Sequence, residues 1–429
     1  MKKVVLSTLA VLALSATAYA ETMTFYTDPA TGQVFTQSGE GRQEMGDFVS
    51  AQEVYLQNQE QDSIVAKKES KSKDIPLYSH ASKIQFSGLT YLGFTHADFK
   101  DDTTSDTNTF EMRRAYVQFK AYLLEDPKSY FRVTLDMEHV TSDATAGDYN
   151  VRFKYAYLYL NEILPYTGVE LGIAHRPWID YEEHNSWFYR DTHWTFTEAP
   201  NSAKLSNSAD LGVNFKTETK YFASEVGLFA GEGYHSPEDG AGISFEWRAT
   251  AHILGESGKD KQTTKTYWDA SFFGQYNKSN HKYTQAPSTP IVAPEENQDL
   301  VWGGLHTVFN MPAFMIAAQY IKSQDTMDAP DVYNKAGDGY NAHAVYRFGD
   351  EKQFRVIGRY DAWTPEQKVD GETLTKHTYY GGFAWEQNRN VEWIANVLKY
   401  DNDVSALGNQ AIDAQENSTN YMVTAQVSF

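Results

Sequence analysis

From Lys83 onward, apolar and polar residues alternate with a period of two, which predicts strands with one apolar and one polar face. Between Thr109 and Leu124, Ala115, Val117, Phe119, Ala121 and Leu123 share one side, while Arg114, Tyr116, Gln118 and Lys120 share the other. Between Ser129 and Val140, Phe131, Val133, Leu135 and Met137 oppose Arg132, Thr134, Asp136 and Glu138. The same pattern predicts strands over 83–99, 109–124, 129–140, 151–164, 168–179, 210–221, 222–234, 241–254, 266–280, 299–310, 314–323, 339–349, 353–363, 375–388, 391–400 and 418–429. That makes about sixteen, of a length suited to tilted strands crossing a bilayer.

The connections alternate too. Tight turns such as Glu125–Lys128, Pro165–Thr167, Met311–Ala313 and Arg389–Asn390 interleave with long polar segments at 100–108, 141–150, 180–209, 282–298, 324–338, 364–374 and 401–417. A short 235–240 and a longer 255–265 break the rule. Short and long ends in alternation mark a bacterial outer-membrane barrel, and an even strand count returns both termini to the periplasmic side. A soluble sandwich has the same local pattern. The unbroken meander and the Tyr and Trp crowded at strand ends favour the membrane barrel instead. The expected fold is therefore all-β, a transmembrane antiparallel up-and-down β-barrel occupying 83–429.

One segment resists this pattern. Residues 180–209 form a long stretch without alternation, and loops beyond about 12–15 residues are usually functional or disordered. Tyr181, Trp187, Phe188, Tyr189, Trp194 and Phe196 would be costly to leave in water, so the expectation is a third external loop folded into the barrel and narrowing it. It carries Asp180, Glu182, Glu183 and Asp191, with Arg190 and His193 among them. Inward positions on the preceding strands supply Arg114, Lys120, Arg132, Arg152, Lys154 and Arg176, and Arg355 and Arg359 add to the same wall. Acids on the loop facing bases on the wall would set up a field across an eyelet whose sign decides ion preference. Each base could instead pair with Asp136, Glu138 or Glu170, or lie near a rim that binds lipopolysaccharide.

The remainder bears on export and on what is excluded. Lys2 and Lys3, the apolar run Val4–Ala18 and Ala18-Tyr19-Ala20 predict a signal peptide over 1–20. Its removal takes away two lysines and no acid from a chain whose formal charge is already -20. Residues 21–82 are expected to be a polar periplasmic extension, with a weak amphipathic helix over 48–65 and a charged linker at 67–73. No other apolar run is long enough for a membrane helix. The absence of Cys excludes disulfides, thiolate metal sites and c-type haem attachment. The acidic loops match no calcium motif, no Gly-x-Ser-x-Gly elbow occurs, and His139, His184, His252 and His306 are scattered; neither metal, cofactor nor enzymatic activity is expected.

The last strand sets Tyr421, Val423, Ala425, Val427 and Phe429 against Met422, Thr424, Gln426 and Ser428. It resembles the terminal strand of bacterial outer-membrane proteins, whose final Phe is read by the barrel-assembly machinery. With this strand count, loop order and longest third loop, 83–429 is similar to the trimeric general-diffusion porins. Within that group Gly172-Ile173-Ala174-His175-Arg176-Pro177-Trp178 followed by Glu182 resembles the fifth-strand segment of the phosphate-selective porin O and P family. The resemblance implies a homotrimer in the outer membrane, in contact with lipid and lipopolysaccharide, passing ions and small hydrophilic solutes and no nucleic acid. General diffusion and anion selectivity both remain open, as does a structural or adhesin barrel without an open pore. A plugged transporter would want more strands and a larger plug than 21–82 offers.

Overall fold

A computed structural model describes residues 23–29, 31, 33–35, 37–48, 81–100, 104–139, 149–235, 242–258, 265–281, 298–325, 335–366, 368–369, 372–403 and 415–429. The chain divides into two compact units, 1–79 and 80–429. In the first, β1 (Met23–Thr27) lies between β2 (Val34–Phe35) and β3 (Gln43–Phe48) in an antiparallel sheet, and the Arg42 guanidinium sits 3.5 Å above the Phe35 ring. The expected signal peptide and the helix over 48–65 lie outside the described residues, apart from Phe48 at the end of β3.

The second unit begins with β4 (Ala81–Phe99), β5 (Thr107–Leu123), β6 (Tyr130–His139), β7 (Tyr149–Leu164) and β8 (Thr167–His175). A helix, α1 (Pro177–Asn185), precedes β9 (Ala209–Glu218), β10 (Phe222–Phe229), β11 (Ile243–His252), β12 (Tyr267–His281), β13 (Gln298–Asn310), β14 (Phe314–Asp325), β15 (Gly337–Phe348) and β16 (Phe354–Pro365). A small hairpin of β17 (Lys368–Val369) and β18 (Glu372–Thr373) leads to β19 (Lys376–Asn388), β20 (Val391–Tyr400) and β21 (Ser418–Ser428). Apart from the hairpin, these strands form one closed antiparallel barrel of 16 in sequence order. Closure is made by β21 against β4, with Ser418 opposite Phe99 and Ser428 opposite Leu89. No edge is left unpaired, the condition for spanning hydrocarbon with strands.

Alternation decides the two faces. Along β15, Asn341, His343, Val345 and Arg347 are buried in the interior, while Tyr340, Ala342, Ala344 and Tyr346 are exposed on the outside. Outward Phe86, Phe131, Leu171, Phe245, Leu305, Ile316, Val356 and Val423 form an exposed apolar surface, which water would penalise and lipid accepts. At the seam, Phe429 exchanges backbone hydrogen bonds with Gly88 at 3.0 and 3.1 Å, and its ring covers that glycine so closely that a Cβ would lie 2.3 Å from it.

Most strand boundaries agree with the alternation to within a few residues, but the strand expected over 168–179 stops at His175. Arg176 keeps extended backbone as the N-cap and Pro177 opens α1, where a missing N–H and a preset φ cost nothing. Trp178 and Ile179 therefore belong to the helix, and the loop expected to lack regular structure begins with one.

Candidate functional site

The long connection from β8 to β9 lies inside the barrel against one half of its wall. Trp178 stacks on Phe273 of β12, centroids 3.5 Å apart and planes 6° from parallel. Ile179, Tyr181, Phe196, Ala203 and Leu205 join Leu300, Trp302, Ile321 and Trp363 in the same cluster. Further along, Trp187 and Tyr189 pack with Tyr267, Val308, Met315, Val345, Ile357, Tyr380 and Leu398. The inner face of β12–β20 is apolar at these positions, unlike the polar interior elsewhere, and that is what the loop's aromatics bury against.

Polar bonds fix the register of this docking. Tyr181 donates to Asp269 at 2.8 Å, Tyr267 to the Asn185 carbonyl at 2.6 Å, Arg359 to the Trp194 carbonyl at 2.8 Å, and Ser202 to Asp361 at 2.7 Å. Asn201 reaches Thr378 and Asn402 at 3.1 Å each. At the loop's base, Arg176 donates to Glu246 of β11 at 2.8 and 2.5 Å, to Asn207 at 3.3 Å, and lies 3.7 Å from Asp210.

What remains open lies between α1 and the opposite wall. A cavity of about 370 Å³ is bounded by α1 and β6–β11, and a second of about 180 Å³ by α1, the loop and β4–β8. Both are lined by Arg132, His175 and His184, so the two are adjoining parts of one slot.

Charges on this side of the barrel interior, in and beside the slot, are unevenly paired. Arg114 and Arg152 share Asp136, at 2.9 and 3.5 Å. Asp180 receives Lys216 at 3.3 Å and lies 3.5 Å from His175 and 3.4 Å from His184. Burial alone would raise its carboxyl, but His175 and Lys216 hold it well below the usual carboxylate range. Arg190 is bound by Glu183 and Glu198 within the loop; burial works against its charge, and the two carboxylates nevertheless raise its affinity for the proton. Lys120, Arg132 and Lys154 differ. Among the described residues none of the three forms an ion pair with a carboxylate; each rests on a tyrosine ring, Lys120 at 4.7 Å from Tyr130, Arg132 at 4.5 Å from Tyr155 and Lys154 at 4.6 Å from Tyr116. Ring quadrupoles stabilise these cations without cancelling their charge.

No family model matches the sequence, and no curated protein matches it. Solved structures do. The anion-selective porin from Comamonas acidovorans aligns with a TM-score of 0.56 at 15% identity, over 81% of this chain and 99% of that one. Salmonella typhi OmpF, in complex with daunomycin, aligns at 0.57 with 11% identity, over 81% and 98%. The outer-membrane expressed OmpT of Vibrio cholerae aligns at 0.53 with 15% identity, over 82% and 99%. The chain has the fold of an outer-membrane porin. At these identities the likeness is one of fold: a closed antiparallel barrel with an apolar exterior, the architecture of those outer-membrane proteins.

The geometry redistributes the residues expected at the eyelet. Arg176 is buried at the base of the loop and bound to Glu246, away from the slot. Arg355 is held by Glu386 and Glu392, and Arg359 by Asp361, all on the wall the loop covers. Glu182 points at that wall too, where it meets Gln319, and Asp191 is buried under the loop. Asp180, Glu183 and Arg190 stay on the slot side with Arg132 and Lys154. Helical geometry is the reason: residues adjacent in a helix point about 100° apart, so Asp180 and Glu182 cannot share a face.

Two contributors were missed. In β5 the register skips a residue, with Tyr91 opposite Arg114 and Leu92 opposite Met112. This bulge turns Arg113 inward beside Arg114, where it lies 3.6 Å from Glu111 and reaches the Thr192 carbonyl at 3.5 Å. The adjacent pair Arg113-Arg114 inside an alternating run was the signal. Lys216 of β9, which ties Glu170, Asp180 and Glu225 together, follows from simple alternation along 210–221.

Proposed function

We propose that the chain is an outer-membrane porin, a water-filled channel for passive diffusion of ions and small hydrophilic solutes, and not an enzyme. The observation that carries this is the asymmetric loop: it narrows the barrel by packing on one wall and leaves a charged slot along the other. In this reading Phe429 serves recognition by the barrel-assembly machinery, lipopolysaccharide and lipid surround the barrel, and the chain works as a homotrimer; one of the aligned OmpT structures is described as a trimer form. No cofactor takes part.

A preference for anions is the finer reading, and the row Lys120, Arg132 and Lys154 supports it. Asp180, Glu183 and Glu198 of the loop already have cationic partners, whereas these three bases have no anionic one among the described residues. The test is a planar bilayer under a salt gradient, repeated with phosphate competing. The expected reversal potential is that of an anion-preferring pore, and phosphate block would narrow the preference to oxyanions. Reversing Arg132 and Lys154 together to Glu is expected to invert the sign. For an ion passing at ~5 Å in water-like dielectric each reversal changes the interaction by about 1.7 kcal/mol, more than tenfold in local concentration before screening. Cation preference in the unaltered protein would discard the anion reading, and absence of any conductance would discard the open pore in favour of a structural or adhesin barrel.

A further inference from the structure

One contact between loop and wall is short of a hydrogen. Glu182 of α1 is wholly buried, and its Oε1 accepts from Gln319 Nε2 of β14 at 2.6 Å. Glu182 Oε2 and Gln319 Oε1 have no hydrogen-bond partner among the described residues. A carboxylate here would place two acceptors in a dry site with no donor in good hydrogen-bond geometry to either, a costly arrangement. Turning the Gln319 amide over does not help, because its oxygen would then face Glu182 Oε1 across 2.6 Å, a separation two acceptors reach only with a proton between them.

The neighbours offer no cation to take the negative charge. On β16, Arg359 is committed to Asp361 through Nε and Nη2, both at 2.7 Å. On β15, His343 lies 3.1 Å from the Ser186 carbonyl and 3.1 Å from Asn341. On β13, His306 stands across the ladder from Gln319 and packs edge-on against Trp178 and Tyr181. In the loop itself, His193 lies 3.8 Å from Asp361, while Asp180, Glu183 and His184 of α1 line the slot.

We propose that Glu182 is carried as the neutral acid and donates its proton to the Gln319 carbonyl, a latch that holds the constricting loop on the wall and releases it as the acid ionises. Burial is the dominant influence on this carboxyl and, with the nearby Asp361, raises it to about 7, against the pull of Arg359, the Gln319 amide and the Phe196 N–H. The sign follows. A folded-state value above the ordinary carboxylate one means that the docked loop keeps a proton the free loop gives up, so docking is fully supported below the ordinary carboxylate range, weakens as pH rises from there and has lost this support by about 7. Glu182 is a positioning residue, touching no solute.

The functional part of the proposal rests on the porin reading, and two measurements separate them. Infrared spectroscopy of the folded protein in lipid at neutral pH is expected to show the carbonyl band of a protonated carboxylic acid, lost in Glu182→Gln and, in the unaltered protein, on titration above about 7. Planar-bilayer recording is expected to show steady current at acid pH and loop-undocking flicker that rises roughly tenfold per pH unit, as one released proton requires, between the ordinary carboxylate range and about 7 and levels off above it. Glu182→Gln keeps a donor for the Gln319 oxygen at every pH, so its current should stay steady throughout. Absence of the acid band overturns the latch whether or not the barrel conducts, and so does an equal pH response in Glu182→Gln. If that variant does not fold, the pH titration of the band in the unaltered protein decides alone. A barrel that shows the band yet does not conduct keeps the latch and overturns the porin.

Discussion

Arg176→Ala is expected to be the most damaging single substitution at the loop, destabilising the barrel by about 3–5 kcal/mol. Its guanidinium is 3% exposed and joins both ends of the loop to β11, through Glu246, Asn207 and Asp210. Removing it leaves the Glu246 carboxylate buried with, among the described residues, only the Ser244 hydroxyl at 3.0 Å as donor. Asp210 suffers less, since it also accepts from the Gly231 and Leu211 N–H groups at 2.7 and 2.9 Å. Arg176→Lys keeps the charge but loses the fork, and a smaller loss is expected. Replacing Arg176 and Glu246 together by Met should recover most of the stability, because a buried pair exchanged for apolar side chains costs far less than a buried charge left alone. Urea midpoints of the folded protein in lipid check all three, and a double variant no better than Arg176→Ala would refute the account.

The second large effect is expected from Trp178→Ala. The indole is 2% exposed and stacked on Phe273, and truncation of a buried Trp costs about 3–5 kcal/mol through lost burial and the cavity left behind. Because Trp178 lies in the first turn of α1, the loss falls on the docked loop more than on the barrel ladder. The expected readout is therefore split: proteolysis within 186–205 becomes rapid and conductance rises and fluctuates, while the barrel keeps its strand content by circular dichroism. Trp178→Phe should retain most of the docking. Unchanged conductance together with an intact loop in Trp178→Ala would mean that the aromatic stack does not hold the constriction.

The residues that the alternation assigned correctly are those whose environment is one-dimensional. On a strand the side chain's face depends on parity alone, so Arg114, Lys120, Arg132 and Lys154 could be placed inside before any partner was known. Parity fails where the backbone changes state. The bulge before Arg114 brought Arg113 inward, and the turn into α1 at Pro177 separated Glu182 from Asp180.

By itself, then, the sequence determined that this chain closes a barrel of about sixteen strands with an aromatic loop inside, since lipid outside and water inside impose a period that every strand repeats. Only the tertiary structure decided which charges remain uncompensated. Pairing depends on distances between residues far apart in the chain: Arg176 met Glu246, Arg355 met Glu392, and Glu182 met the amide of Gln319, while Lys120, Arg132 and Lys154 met tyrosine rings. An ion pair weakens with every ångström of separation, and separation across a barrel is written in no local pattern.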